Sequence, residues 1–414
     1  MCAAMIGGAC RALTELKIDA SDCGEVLSVL GKGACPELKT LGLGYCQEEM
    51  ETGKLLAMAI ESGHLGQHLE ELELSICELD PMGLTLMMTK AMEVEEPLRG
   101  LRRLTLDTCI LPAQDREALG RAIGARAFPQ LEKLSLPLTG LREEGAAAIM
   151  EGLEGGGCTE LRHLDLESSS RMESTAVMAF ARALSAGYCR HLQQLNFDYA
   201  FGYNQSLMIF LESIRSIPFP SLRFLGLDSN NMDEQQAIML GDSLNAGTFP
   251  HLETLRIGGQ KVYGSVWEAL EAGSCPELRE LGLMGAHFDS DNATALVSAL
   301  LSGSLSKLQH VNLNDTYWDD GDGGNGDTTL ANVLGALATS YHDLRHFTIG
   351  SKSIREESVQ VLWSVLREGK WPKLETFGML NFSDEHLREL VELLEKGAGA
   401  NYKDLYVSVA ISRM

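Results

Sequence analysis

Basic side chains are scarce in this chain. Its 414 residues carry 34 Lys and Arg against 58 Asp and Glu, a net charge of −24 at pH 7. Nucleic acids and anionic membranes are bound through an excess of Lys and Arg, so neither is an expected partner, and a basic protein surface is favoured instead. Long apolar runs are also missing: none reaches the roughly 18 residues of a membrane span. The first ten residues, Met1 to Cys10, have no basic n-region and too short an apolar stretch for a signal peptide, so a cytoplasmic or nuclear location is expected. Motifs that carry chemistry are absent as well. No Cys-x-x-Cys occurs, so a structural zinc site is not expected. Gly31-Lys-Gly33 and Gly53-Lys-Leu55 lack the Ser/Thr and the glycine spacing of a P-loop, and there is no His-Glu-x-x-His and no Gly-x-Ser-x-Gly. No catalytic residue, metal or cofactor is predicted, and no enzymatic activity is expected.

What is present is a hydrophobic content of 45%, too high for a disordered chain. The length exceeds the roughly 250–300 residues that one core supports, so the chain needs several domains or an elongated architecture. Self-similarity settles which. The pattern Leu-x-x-Leu-x-Leu opens at Leu13, Leu38, Leu69, Leu101, Leu131, Leu161, Leu192, Leu222, Leu252, Leu278, Leu308, Leu344 and Leu374, with a weaker copy at Tyr402. The mean step is about 30 residues. Each copy alternates with period two, as a strand does, and a stretch with helical spacing follows, such as residues 143–153 or 233–244. Glycine sits five residues before the opening position in nine of the fourteen copies (Gly8, Gly33, Gly156, Gly187, Gly247, Gly273, Gly303, Gly369 and Gly397), where a helix must end in a left-handed residue.

On these residues the whole chain resembles a leucine-rich-repeat protein of the ribonuclease-inhibitor-like class. The resemblance implies an α/β solenoid of about 14 repeats, a horseshoe with a parallel sheet on the concave face and helices on the convex face. One repeat domain is expected over 1–414: a leading segment 1–12, repeats over 13–409 and a tail over 410–414. No polar caps are recognisable at either end, and oligomeric state is not legible.

Eight of the ten cysteines fall at two phases. Cys10, Cys35, Cys158, Cys189 and Cys275 precede the opening leucine by three residues, a column shared with Phe128, Phe219, Phe249 and Trp371, hence core. Cys46, Cys77 and Cys109 follow it by eight, a column shared with Asn230, Thr139, Thr316 and Ser169, whose side chains are expected to bond neighbouring loop backbone. Both readings call for reduced, buried thiols.

The third, fifth and seventh positions of each copy point away from the core and should form the binding face. Asp165, Glu167, Asp198 and Asp228 are expected to converge there as a compact acidic patch, with His163 beside it. His163, His310 and His346 share one strand phase, and the last two are expected about 5 Å apart. Exposed aromatics are frequent binding hot spots, so Tyr199 and Tyr203 after one strand, and Tyr317 and Trp318 at the base of an acidic insertion over 315–328, complete the candidate partner-binding set. Calcium in that insertion is a weaker reading, because neither the EF-hand nor the Gly-Gly-x-Gly-x-Asp spacing fits. Charge is also segregated: residues 41–96 hold twelve acids and two bases, and residues 97–142 hold eight bases and four acids. The expected function is a non-enzymatic protein-interaction scaffold. Alternatives are a GTPase-activating protein similar to the Ran GTPase-activating family, or the sensor part of an innate-immune-type receptor.

Overall fold

The computed structural model describes every residue outside 1–9, 22, 48–50, 66–67, 94–97, 170, 203, 320–325, 352–353, 381, 398–405 and 411–414. It forms two compact units, Met1–Ser213 and Ile214–Met414. Both are leucine-rich-repeat α/β solenoids built from the same step.

In the first unit the strands are β1 (Glu15–Asp19), β2 (Thr40–Gly44), β3 (Glu71–Ser75), β4 (Arg103–Asp107), β5 (Lys133–Ser135), β6 (His163–Asp165) and β7 (Gln194–Asn196). Each begins two residues past its opening leucine and pairs parallel with the next, equal phase on equal phase: Leu104, Leu134, Leu164 and Leu195 form one row. Alternation does the sorting, as in β3, where Leu72 and Leu74 are buried while Glu71 and Glu73 face outward. A helix follows each strand. That over Ser174–Ser185 buries Ala176, Val177, Ala179, Phe180, Ala183 and Leu184, the i, i+3, i+4 edge that sequence periodicity predicts.

The second unit repeats the plan with β8 (Phe224–Gly226), β9 (Thr254–Arg256), β10 (Glu280–Gly282), β12 (His310–Trp318), β13 (His346–Ser351), β14 (Thr376–Leu380) and β15 (Tyr406–Ala410). It adds a feature the sequence did not reveal: a short strand β11 (His287–Phe288) pairs with the far end of β12, His287 with Tyr317 and Phe288 with Trp318.

The eight predicted glycines that fall among the described residues, Gly33 to Gly397, all have positive φ. Arg126 fills the same column at φ 60°. Helix starts are held from neighbouring repeats. Asp80 Oδ1 accepts from the Gly53 and Lys54 amides (2.7 and 3.3 Å), and Asp115 Oδ1 from the Thr85 amide (2.9 Å). A negative charge at the positive end of a helix, with amide donors, is the stabilising arrangement.

Both cysteine columns are where the phases put them, except that Cys10, expected in the core, is only half-buried. Cys35, Cys158, Cys189 and Cys275 are buried beside the apolar residues of their column, and burial pushes the thiols of the last three up to about 12. In the other column Cys77 and Cys109 donate to carbonyls of the preceding repeat, Leu43 and Leu74, at 3.5 and 3.3 Å. Ser169 does so to Leu136, and Gln260 to Leu227 at 3.1 Å. Cys23, whose phase predicted nothing, is buried with its Sγ 3.5 Å from Cys46 Sγ and extends this row. Hydrogen bonding to Cys77 and burial push Cys46 and Cys109 far above the ordinary thiol range. The nine described cysteines are free thiols.

Candidate functional site

The solvent face of the first unit's sheet is polar and cross-linked strand to strand. Lys17 Nζ lies 3.2 Å from Glu73 and Arg103 Nη2 2.9 Å from Glu71, across the register of β1 to β4. Glu71 is thereby held below the usual carboxylate range by its hydrogen bond to Arg103. His163, half-buried between Lys133 and Gln194 in register, has its imidazole pushed down by burial and by the positive charges of Lys133 and Arg162.

The acids expected as an open patch are used differently. Asp165 Oδ2 accepts from Ser135 Oγ at 3.0 Å, and its Oδ1 from the Glu167 amide at 3.1 Å. Asn196 Oδ1 takes the Asp198 amide at 3.2 Å in the same way. A short polar side chain bonding the amide two residues on ends the strand and starts the turn. Glu167 accepts from Asn196 Nδ2 at 3.1 Å and stays half-exposed. Asp198 and Asp228 correct the expectation: both are buried. In the second unit Asp228 Oδ1 accepts from the Gly258 amide at 2.5 Å, a backbone role that draws the carboxylate inward. The open acid of the first unit's set is therefore Glu167, with Asp165 partly accessible.

Of the aromatic candidates, Tyr199 is exposed and borders an open depression of about 750 Å³ with Arg142, Arg171, Glu143 and Glu173. Tyr203 lies outside the described residues. Phe201 is core, 5.7 Å from Phe197 and 5.4 Å from Phe210. Tyr317 is exposed with its ring 5.5 Å from His287. Trp318 is a second correction. The strand carries an irregularity between Asn314 and Thr316, with Asp315 at φ 54°, which shifts the period-two alternation by one residue. Beyond it β12 pairs with β11 and Trp318 turns inward, stacked 4.2 Å from Phe288 with its Nε1 donating to Thr316 Oγ1. It is buried and offers no contact surface.

The insertion behind it lies outside the described residues over 320–325. Asp327, at its end, is buried and takes the Arg355, Glu357 and Ser358 amides at 3.0, 2.7 and 3.1 Å, capping the helix Glu356–Glu368. Among the described residues no three His, Cys, Asp or Glu side chains are placed to hold a metal ion.

On the second unit's sheet face one column runs strand to strand. The Arg256 guanidinium lies 4.9 Å over the Phe224 ring and 3.6 Å from Glu280, which is 3.5 Å from His310 Nδ1. The His310 and His346 rings are 5.6 Å apart, and His346 Nδ1 is 2.7 Å from Thr376 Oγ1. The hydrogen bond to His310 leads in holding Glu280 below the usual carboxylate range, with Arg256 adding to it.

A further column escaped the sequence reading. In ten copies the residue seven after the opening position has a left-handed backbone: φ is 61° at Tyr45, 54° at Ile76, 54° at Thr108, 55° at Leu138, 51° at Ser168 and 53° at Tyr199 in the first unit. It is 56° at Ser229, 65° at Gly259, 70° at Gly285 and 54° at Asp315 in the second. The turn extends the parallel ladder by one bond: the Tyr45, Ile76 and Leu138 amides donate to the Ser75, Asp107 and Glu167 carbonyls of the next repeat at 3.0, 2.8 and 2.9 Å. In the first unit large apolar side chains stand outward here. Tyr45 is 57% exposed, Ile76 45%, Leu138 51% and Tyr199 55%, joined by Ile110 at 68%. The sequence signal for this column is the pair Gly259 and Gly285 at the same phase, which marks a backbone that only glycine adopts without cost.

No protein-family model and no curated protein matches the chain. Among solved structures it is similar to an internalin from Listeria monocytogenes, with a TM-score of 0.42 and 13% identity over 98% of this chain and 88% of that one. At that level the likeness assigns no family, and the leucine-rich-repeat fold rests on the strands, their register and the repeat itself.

Proposed function

We propose that this chain is a non-enzymatic protein-interaction scaffold that receives a protein partner on the solvent face of its sheet. The observation that carries the reading is the strand-to-strand tying of that face. Lys17 with Glu73, Arg103 with Glu71, Ser135 with Asp165 and Asn196 with Glu167 fix polar groups on successive strands before any partner arrives. Side chains already ordered lose less freedom on binding. Exposed ion pairs add little to stability, so their value lies in presenting a fixed pattern of charge. The accessible carboxylates, Glu167 and Asp165, favour a basic partner surface. The ribonuclease-inhibitor-like subclass suits the strand-helix repeat of about 30 residues, and a reducing cytoplasmic or nuclear compartment suits nine free thiols.

The test is affinity capture followed by charge reversal. A partner captured by the parent chain should be lost with Asp165→Lys/Glu167→Lys, and its binding should weaken as salt rises. Partner binding unaffected by both changes would overturn the sheet-face reading. Accelerated GTP hydrolysis by a small GTPase would replace it with the activating-protein reading.

A further inference from the structure

We propose that the strand-end rim of the first unit is a second docking site, shaped for a cationic amphipathic helix of another protein. This deepens the scaffold reading and rests on it, but places a contact on a different surface and states the partner's chemistry. Tyr45, Ile76 and Ile110 line one open depression of about 770 Å³ with Gln47, Glu78 and Thr108, and Leu138 continues the row in the next repeat.

These side chains do not serve folding. They stand outside the buried core with about half or more of their surface exposed, and at Tyr45, Ile76 and Leu138 a bulky or β-branched residue on a left-handed backbone is strained. Ile76 combines both penalties. The backbone would accept glycine or asparagine there at lower cost. Large apolar groups kept outward at that expense are accounted for if something covers them.

Spacing and charge define the occupant. Hydrogen bonds set successive turns one strand apart, about 4.8 Å. Tyr45 to Leu138 therefore spans about 15 Å, the reach of helix positions i, i+4, i+7 and i+11 at about 1.5 Å per residue. Asp19, Glu78 and Asp107 flank the row. The Asp19 carboxylate lies over Gly44, whose added Cβ would fall 2.2 Å from its Oδ1, and Asp107 Oδ1 accepts from Thr108 Oγ1 at 2.9 Å. None of the three is in an ion pair among the described residues, whereas the neighbouring cations Lys17 and Arg103 are already paired with Glu73 and Glu71. Cationic residues beside an apolar stripe complement this arrangement. The same acids repel a second copy of the rim and an anionic lipid surface.

The probe is a synthetic, fluorescently labelled peptide of leucine and lysine in helical period, titrated against the full chain by anisotropy. The parent should bind it, and Tyr45→Asn/Ile76→Asn/Ile110→Asn/Leu138→Asn should bind about tenfold more weakly or worse. Asparagine tolerates the left-handed backbone of Tyr45, Ile76 and Leu138, and Ile110 is exposed, so the thermal midpoint of this variant should not fall. Asp19→Asn/Glu78→Gln/Asp107→Asn should weaken binding and flatten its salt dependence. Equal affinity of parent and the asparagine variant, or equal binding of a serine and lysine peptide of the same charge, overturns the proposal. So does a parent dimer that the asparagine variant abolishes, since the occupant is then a second copy. Loss of peptide binding in Asp165→Lys/Glu167→Lys with the rim variants silent would remove the rim and leave the sheet-face reading standing. The opposite pattern would keep the rim and remove the sheet face.

Discussion

The two units build the same turn with opposite side chains. In the first, four of the six left-handed positions hold Tyr45, Ile76, Leu138 and Tyr199, large and outward, and the other two hold Thr108 and Ser168. In the second they hold Ser229, Gly259, Gly285 and Asp315. The second unit sends its large strand-end aromatic inward instead, stacking Trp318 on Phe288. The backbone geometry is common to both, so geometry does not select the residue. Where only the turn must be made, small or polar residues appear. Where bulky residues persist against the backbone's preference, a surface is being kept.

Removing the inward aromatic should have the largest effect. Trp318→Ala empties a buried site and should cost about 3–5 kcal/mol, read as a drop in unfolding midpoint, whereas Tyr45→Ala should stay within about 0.5 kcal/mol. Similar losses for both would erase the inward-outward contrast. Next comes a transplant. Gly259→Ile puts the first unit's residue into the second, where an added Cβ would fall 1.7 Å from Ser229 Oγ and 3.0 Å from Ser229 Cα. Overlap and left-handed strain together should cost about 2–4 kcal/mol. A neutral result in urea unfolding would show that the second unit's small residues are not required. The reverse exchange is milder: Ile76→Asn relieves strain and should raise stability by about 1 kcal/mol. A stabilising change that weakens peptide binding is the signature of a site held for function, and a destabilising one would mean that Ile76 supports the fold.

The fold was legible because a repeat states its phase many times over. Strand starts, the glycine column and both cysteine columns follow from counting residues from each opening leucine. Side-chain fate at the strand ends was less legible. Asp165 and Asp198 occupy outward phases, yet their neighbourhood is a turn where backbone amides compete for carboxylates and side-chain amides. Asp228 was drawn inward on that account, accepting the Gly258 amide, and Asp198 is buried as well. Trp318 depended on a one-residue shift of the alternation at Asp315 and on β11, neither of which periodicity announces. The left-handed column was present as Gly259 and Gly285, but in the first unit bulky residues conceal it, and only the φ angles expose it.

Acid titration should separate the units by the smallest of these effects. In the first, His163 is pushed down by burial and by Lys133 and Arg162. Below the unfolded value of about 6.5 the unfolded chain takes up a proton that folded His163 resists. Stability therefore falls as pH drops from there to the lowered folded value, and is unaffected above it. In the second unit Glu280 is held low by His310 and then by Arg256. Its contribution is present above the unfolded value of about 4.3 and is lost as pH falls through the folded one. His163→Gln should thus flatten the fall of the thermal midpoint just below about pH 6.5, and Glu280→Gln only below about pH 4.3. NMR titration of the imidazoles decides the first half directly. A His163 ring that titrates at or above the free-histidine value would mean that its neighbours do not repel the proton. The sheet face of the first unit would then carry one more positive charge in weak acid than the structure allows.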